Sequence, residues 1–392
     1  MMKRILIFLL ALLFALPAQA LTQEEMEQAI LNELSARHII GGAVVISVNG
    51  NTCISLGYGT TDGKTPVTTD TLFRVASVTK MVSAIGLMHL YDEGYFLLDE
   101  DLNDLLPFPV RNPRFENIKI TPRQILSHTS GLAANNYYTI DWANLSRDTR
   151  YFSSAAAGSA YEYSNTNGGL FGCLMEALTG DGVNDYMTKT VFDPLGITAA
   201  YDILSLPEDA QISPTYAKDR TVARSLKDYR RDAKLYTSGA DPESHLALTV
   251  GKLFISAEGL NKLLVMLLKD GWADGVRILE PETVAAMEAE QHLLDGSSVT
   301  AESPYGLSLK RAEGMTGGTW YGHQGMIFGF TADAFYQPDT GLCVTVLMNG
   351  YAPVQEDGLV TPARSIMTLA SEWTLSGSLA PTFNSADFAV TE

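Results

Sequence analysis

Ser77 and Lys80 stand three residues apart in the stretch LFRVASVTKMVSAIGLMHLYDEG, Leu72 to Gly94. On a helix that spacing puts them on one face, a turn apart, at an end where backbone N–H groups lack partners. A hydroxyl is a weak nucleophile until a neighbouring base takes its proton. An amine one turn away can do so only when neutral, which burial, nearby positive charge and the helix N-terminus all favour. Val78, Met81, Val82, Ile85 and Met88 recur at helical spacing and predict a buried face on the opposite side, with Gly94 as the stop. A plainer reading has Ser77 capping the helix and Lys80 reaching to water. A Ser-x-x-Lys spacing turns up about once by chance in a chain of this length, so it decides nothing alone.

Two further stretches carry candidate chemistry. In SAYEYSNTNGGLFG, Tyr163, Ser164 and Asn165 form a polar turn ahead of an apolar helix. In TWYGHQGMIFGF, His323 and Gly325 lie on an expected strand, and alternation aims both to one side. A glycine there lets a backbone or a ligand approach closely. The plainer readings are a partly buried tyrosine, an asparagine that caps a helix, and a hydrogen-bonded core histidine. His38, His89, His128, His245 and His292 show no metal-ligand spacing, so no metal or other cofactor is expected.

The elements that must position these residues are legible around them. GGAVVISVNGNTCISLGYG reads as a hairpin turned at Asn49-Gly50. A second hairpin runs from Phe330 to Gln337 and from Leu342 to Met348, turned by Pro338-Asp339-Thr340-Gly341. Between the two, helix signals dominate: Thr121-Pro122 opening one, Gly169 to Leu178 ending at Gly180, and Leu260 to Lys269 ending at Gly271. Helices are also expected over Thr22 to Arg37 and Pro362 to Leu375. The expected fold class is α+β: an antiparallel sheet from both chain ends, flanked by helices, with a mainly helical inserted lobe and a cleft between the lobes.

Residues 1–20 have the form of a secretory signal peptide: Lys3 and Arg4, an apolar run from Ile5 to about Leu16, and Ala18-Gln19-Ala20. The domain is expected over residues 21–376, with a sheet lobe of about 21–75 plus 300–376 and a helical lobe of about 95–255. Residues 377–392 read as a weakly ordered tail. No second long apolar run follows, so an exported protein, periplasmic or extracellular, without an integral membrane segment after cleavage is expected. Lys and Arg number 27 against 45 Asp and Glu; without Lys3 and Arg4 the net charge is −20. With no basic cluster, nucleic acid and anionic membrane surfaces are poor partners. Cys53, Cys173 and Cys343 stand far apart and read as small buried hydrophobes rather than a disulfide framework.

In this order, Ser77-Val78-Thr79-Lys80, Tyr163-Ser164-Asn165 and His323-Gln324-Gly325 resemble the serine hydrolases that include class C β-lactamases, D-alanyl-D-alanine carboxypeptidases, D-aminopeptidases and related esterases. The segments LLDEDLNDLLP, ITPRQILSHTSGL, VFDPLGIT and YGLSLKR are similar to family segments, so the resemblance spans roughly Ile39 to Gly350. It implies the β-lactamase/transpeptidase-like fold, an acyl-serine intermediate on Ser77, and Lys80 and Tyr163 as the pair that moves protons. Asn165, His323, Gly325 and Met326 would bind substrate, the oxyanion being held by the N–H groups of Ser77 and Met326. His323 stands where the lactamases carry lysine. It would hydrogen-bond Tyr163 and act as a weaker, pH-dependent anchor for a substrate carboxylate or carbonyl. The implied substrates are D-amino-acid peptides, with cell-wall peptide as a candidate. A carboxylesterase or weak β-lactamase is the alternative, and a muropeptide-binding protein the non-enzymatic one.

Overall fold

The computed structural model describes residues 21–134, 142–234, 248–299, 304–350, 354–356 and 359–376. The signal peptide and tail read from the sequence lie outside the described residues.

Asn49 and Gly50 both take positive φ, 52° and 86°, and this turn folds β1 (Gly41–Val48) back onto β2 (Asn51–Gly59). Near the other end come β3 (Lys310–Ala312), β4 (Trp320–Ile327), β5 (Phe330–Gln337) and β6 (Leu342–Asn349). One six-stranded sheet joins them in the order β3-β4-β5-β6-β1-β2, antiparallel throughout. The two chain ends meet where Gly41 pairs with Asn349 and Val48 with Leu342.

Both faces of the sheet centre are covered, so β1, β5 and β6 are buried at every position and show no polar alternation. Alternation instead divides the apolar residues between two cores. Ala43, Val45, Ala332, Ala334 and Leu347 face the first and larger core; Val44, Ile46, Phe335, Val344 and Val346 face α1 (Gln23–Ala36) and the C-terminal helix. Thr22 opens α1 with a reciprocal capping box to Glu25.

Sandwiched in the first core is α2 (Val78–Asp92), where every residue from Val78 to Met88 is buried. The amphipathic helix expected from Leu72 onward is therefore corrected in two ways. Phe73–Arg74 is a short strand, and the helix is enclosed on all sides because the sheet packs on one flank and α3 (Asn165–Thr179) on another. α3 ends at Gly180, whose φ of 76° is the left-handed helix stop. α4 (Ala257–Leu268) lies across β1, β5 and β6, and α5 (Thr361–Leu375) packs beside α1. The segment before α4 contains, besides α3, short helices such as Leu102–Leu105 and Pro122–Leu126, small strand pairs and long turns, and is less regular than expected.

Cys173 and Cys343 are buried as expected, while Cys53 is half-exposed on the edge strand; no disulfide joins any of the three. No helix among the described residues is long and apolar enough to cross a membrane.

Candidate active site

Ser77 sits where the chain turns from the short strand into α2. The residue before it, Ala76, has a φ of 47°, a left-handed conformation that costs a side-chain-bearing residue energy and occurs where the fold demands it. Ser77 occupies the N-cap position, yet its hydroxyl makes no capping bond. The capping role is thus left aside, and the hydroxyl meets Lys80 instead. Lys80 is fully buried, and its Nζ donates to Ser77 Oγ at 3.1 Å and to the Val250 carbonyl at 2.8 Å. It does not reach solvent. Gly168 makes the corridor for its stem: a Cβ there would lie 2.9–3.1 Å from Cε, Cγ and Cδ of Lys80. Val250 belongs to the short helix Leu248–Gly251.

Tyr163 stands over the pair, with the Lys80 ammonium 5.1 Å from its ring centroid. The loop that holds it ends in α3, capped by Ser164 through the Thr166 N–H rather than by Asn165, which is the first residue of the helix. Asn165 is half-buried on the same turn as Tyr163.

β4 closes the site from the sheet. β3 pairs only with Trp320–Gly322, so His323–Ile327 runs on past it along the start of α2. Contact there is close: a Cβ on Gly325 would lie 2.3 Å from the Val75 carbonyl oxygen and 2.9 Å from the Ser77 nitrogen. Only glycine lets the strand backbone and the Ser77 amide share that space. Met326 follows it, 43 % exposed, its Sδ accepting from Gln355 Nε2 at 3.6 Å.

His323 differs from its expected state. Its Nδ1 donates to the Gln324 carbonyl at 2.6 Å, its Nε2 is buried without a partner among the described residues, and its ring stands 6.3 Å from that of Tyr163 with no hydrogen bond between them. Burial, then the Lys80 charge, pushes its pKa down to about 3, so it is neutral at physiological pH. A pH-dependent cationic anchor is favoured by solvent or a carboxylate beside it; this ring is only 4 % exposed, and the charges acting on it among the described residues are those of Lys80 and Lys310.

The sequence reading missed several residues that line the site. Val250 supplies a backbone oxygen, for which no side-chain signal exists. Gly168-Gly169 inside a helix was a legible sign of close approach, since glycine costs about 1 kcal/mol there. His128, grouped above with the residues lacking metal spacing, lies fully buried with its ring centroid 4.3 Å from that of Tyr163; Tyr305 packs 5.5 Å from His128 and 6.4 Å from His323. Among the described residues no group of three or more His, Cys, Asp or Glu side chains is placed to hold a metal.

A serine hydroxyl, an amine in contact with it, a tyrosine ring beside the amine and backbone amides beside a glycine strand make a constellation suited to acyl transfer. Comparison with known proteins agrees. The chain is 29 % identical over 335 residues to Penicillin-binding protein 4 of Amycolatopsis lactamdurans, covering 80 % of this chain and 81 % of that one. Its fold is similar to that of a D-amino acid amidase from Ochrobactrum anthropi SV3, with a TM-score of 0.66, 20 % identity and coverage of 90 % and 98 % of the two chains. A class C β-lactamase from Rhodobacter sphaeroides gives a TM-score of 0.68 at 18 % identity, covering 88 % and 98 %. These likenesses bear out the β-lactamase/transpeptidase-like α+β fold. The family described as Beta-lactamase matches residues 19–365, and the chain belongs to that family of serine hydrolases.

Proposed function

We propose that Ser77 is the nucleophile of an exported hydrolase that cleaves peptide, amide or ester bonds of D-amino-acid substrates through an acyl-serine intermediate. One observation carries the reading: the buried Lys80 amine is held at 3.1 Å from a serine hydroxyl that makes no helix-capping bond. In acylation the Ser77 proton passes to the Lys80 and Tyr163 pair as Oγ attacks the substrate carbonyl, and the pair returns it to the leaving group. Water then repeats the sequence on the acyl-enzyme. The N–H groups of Ser77 and Met326, brought together by Gly325, hold the oxyanion. Asn165 and the His323–Gly325 strand border the substrate.

The substrate class draws support from the likeness to a penicillin-binding protein and to a D-amino acid amidase. The neutral, enclosed His323 favours neutral donors over ones that need a cation at this position. Cell-wall peptide is the natural candidate for an exported enzyme, and export itself rests on the signal-like residues 1–20.

The test is a hydrolysis panel of D-alanyl dipeptides, D-amino-acid amides, short p-nitrophenyl esters and a chromogenic cephalosporin, run beside Ser77→Ala. Turnover confined to the D-series supports the reading; ester turnover alone would make the chain a carboxylesterase. A fluorophosphonate should label the peptide containing Ser77. Ser77→Ala activity above a tenth of wild type on any good substrate would remove Ser77 from the mechanism.

A further inference from the structure

His128 touches the chain on both sides of Tyr163. Its backbone carbonyl accepts the Glu162 N–H at 2.9 Å, and its Nδ1 accepts the Ser164 N–H at 3.3 Å. Between those two anchors its imidazole lies 4.3 Å from the Tyr163 ring, inclined at 37°. We propose that His128 is the positioning residue for Tyr163, a clamp that brackets the tyrosine from residues 162 and 164 and backs its ring. This rests on Tyr163 sharing the proton transfer, as proposed above.

The clamp is itself held in one state. Ser130 Oγ donates to Asn167 Oδ1 at 2.6 Å, which fixes the amide so that Asn167 Nδ2 donates to His128 Nδ1 at 3.1 Å. With two N–H groups aimed at Nδ1, the ring proton is on Nε2. Tyr161, Tyr163, Tyr305, His323 and Lys80 face this ring from the surrounding elements. Burial, followed by the Lys80 charge and His323, holds the His128 pKa well below its ordinary value. Protonating Nδ1 would break both bonds at once, so the neutral ring is the working one. Its φ of 57° is a conformation that His and Asn tolerate far better than most residues.

Asparagine offers Oδ1 where the imidazole offers Nδ1 and accepts the same φ, while phenylalanine keeps a ring and loses the acceptor. His128→Asn should keep kcat within about fivefold, whereas His128→Phe should lose about 30-fold or more in kcat with KM within about threefold, because a misplaced general acid or base slows the chemistry rather than binding. In a Tyr163→Phe background the further cost of His128→Phe should fall below about threefold. An Asn variant as slow as the Phe variant would overturn the clamp, as would losses that multiply in the double variant. Should His128→Phe fail to fold, His128→Asn decides alone: kcat within fivefold upholds the proposal and a larger loss overturns it. Near-wild-type kcat in Tyr163→Phe itself would refute the role of Tyr163, a result separate from any failure of His128.

Discussion

Replacing Gly168 with alanine adds one methyl group where the stem of Lys80 runs. The added Cβ would lie 2.9 Å from Cε, 3.0 Å from Cγ and 3.1 Å from Cδ, against an optimal separation of about 3.5–4.0 Å. Something must move by about 0.5–1 Å, and the flexible lysine stem yields before two packed helices do. Stability should change little: alanine gains about 1 kcal/mol of helix propensity over glycine, which offsets an overpacking cost of about 1–3 kcal/mol. Activity should not survive as well. The Lys80 amine cannot keep both its 3.1 Å contact to Ser77 and its 2.8 Å contact to Val250 when its stem shifts, and a misplacement of about 1 Å at a reacting group costs on the order of 100-fold. The assay is kcat/KM on a p-nitrophenyl ester together with thermal unfolding. A Tm within about 3 °C of wild type beside a 30- to 300-fold loss of kcat/KM is expected. Full activity in a folded Gly168→Ala protein would mean that the Lys80 position is not rate-determining.

Gly325→Ala should be more damaging still, since its Cβ would meet the Val75 carbonyl and the Ser77 nitrogen, backbone atoms that cannot rotate away; a loss of about 100- to 1,000-fold in kcat is expected, and retention of a tenth would show that the strand is not held against Ser77. His323 and His128 both have lowered folded-state pKa values, so the unfolded chain binds more protons below about pH 6.5 and stability falls as pH drops from there toward 3. For His323 the effect is on the order of 4 kcal/mol across that window, and wild type and His323→Gln should converge in Tm between pH 7.5 and 5; parallel curves would sink the assignment. Because His323 stays neutral, it should also contribute no limb to the pH–rate profile from 5.5 to 8.5. Asp333 behaves oppositely: burial raises its pKa and both oxygens lack partners among the described residues, so above the unfolded value the unfolded carboxyl ionises while the folded one is held neutral, and stability falls as pH rises. Asp333→Asn should therefore raise Tm by a few degrees at pH 8 and by nothing at pH 4, and an unchanged Tm at pH 8 would show that the acid has a partner.

What could be read in advance was local. Asn49-Gly50 and Pro338 to Gly341 announced both hairpins because turn chemistry lies within four residues, and Thr121-Pro122 marked a helix start for the same reason. Ser77, Lys80, Tyr163 and His323 were visible as residue types at short spacings, and the structure brings them together. What escaped was decided by contacts distant in sequence. Nothing near Val78 tells that α2 is buried all round, since α3 and the strands β4 and β5 that enclose it come later. His323 was read as half-charged because its burial and its nearness to Lys80 depend on a strand meeting a helix 240 residues upstream. His128 carries no motif that reveals its link to Tyr163, for the tie runs through a backbone amide and a ring face.

The pairing of β1 with β6 has a consequence in time. Gly41 and Asn349 are neighbours across the sheet though about 300 residues separate them along the chain, so the contact that completes the sheet closes one of the longest loops this polypeptide can form. Such topologies fold slowly, since the entropy of closure precedes the reward. Ser77 and Lys80 leave the ribosome early, but the strand that presses Gly325 against them comes among the last and is anchored to β1 only through β5 and β6. On the proposed reading, a nascent or C-terminally truncated chain would carry Ser77 without the strand that completes its oxyanion site. Hydrolysis by way of Ser77 would then wait for the pairing of β1 with β6.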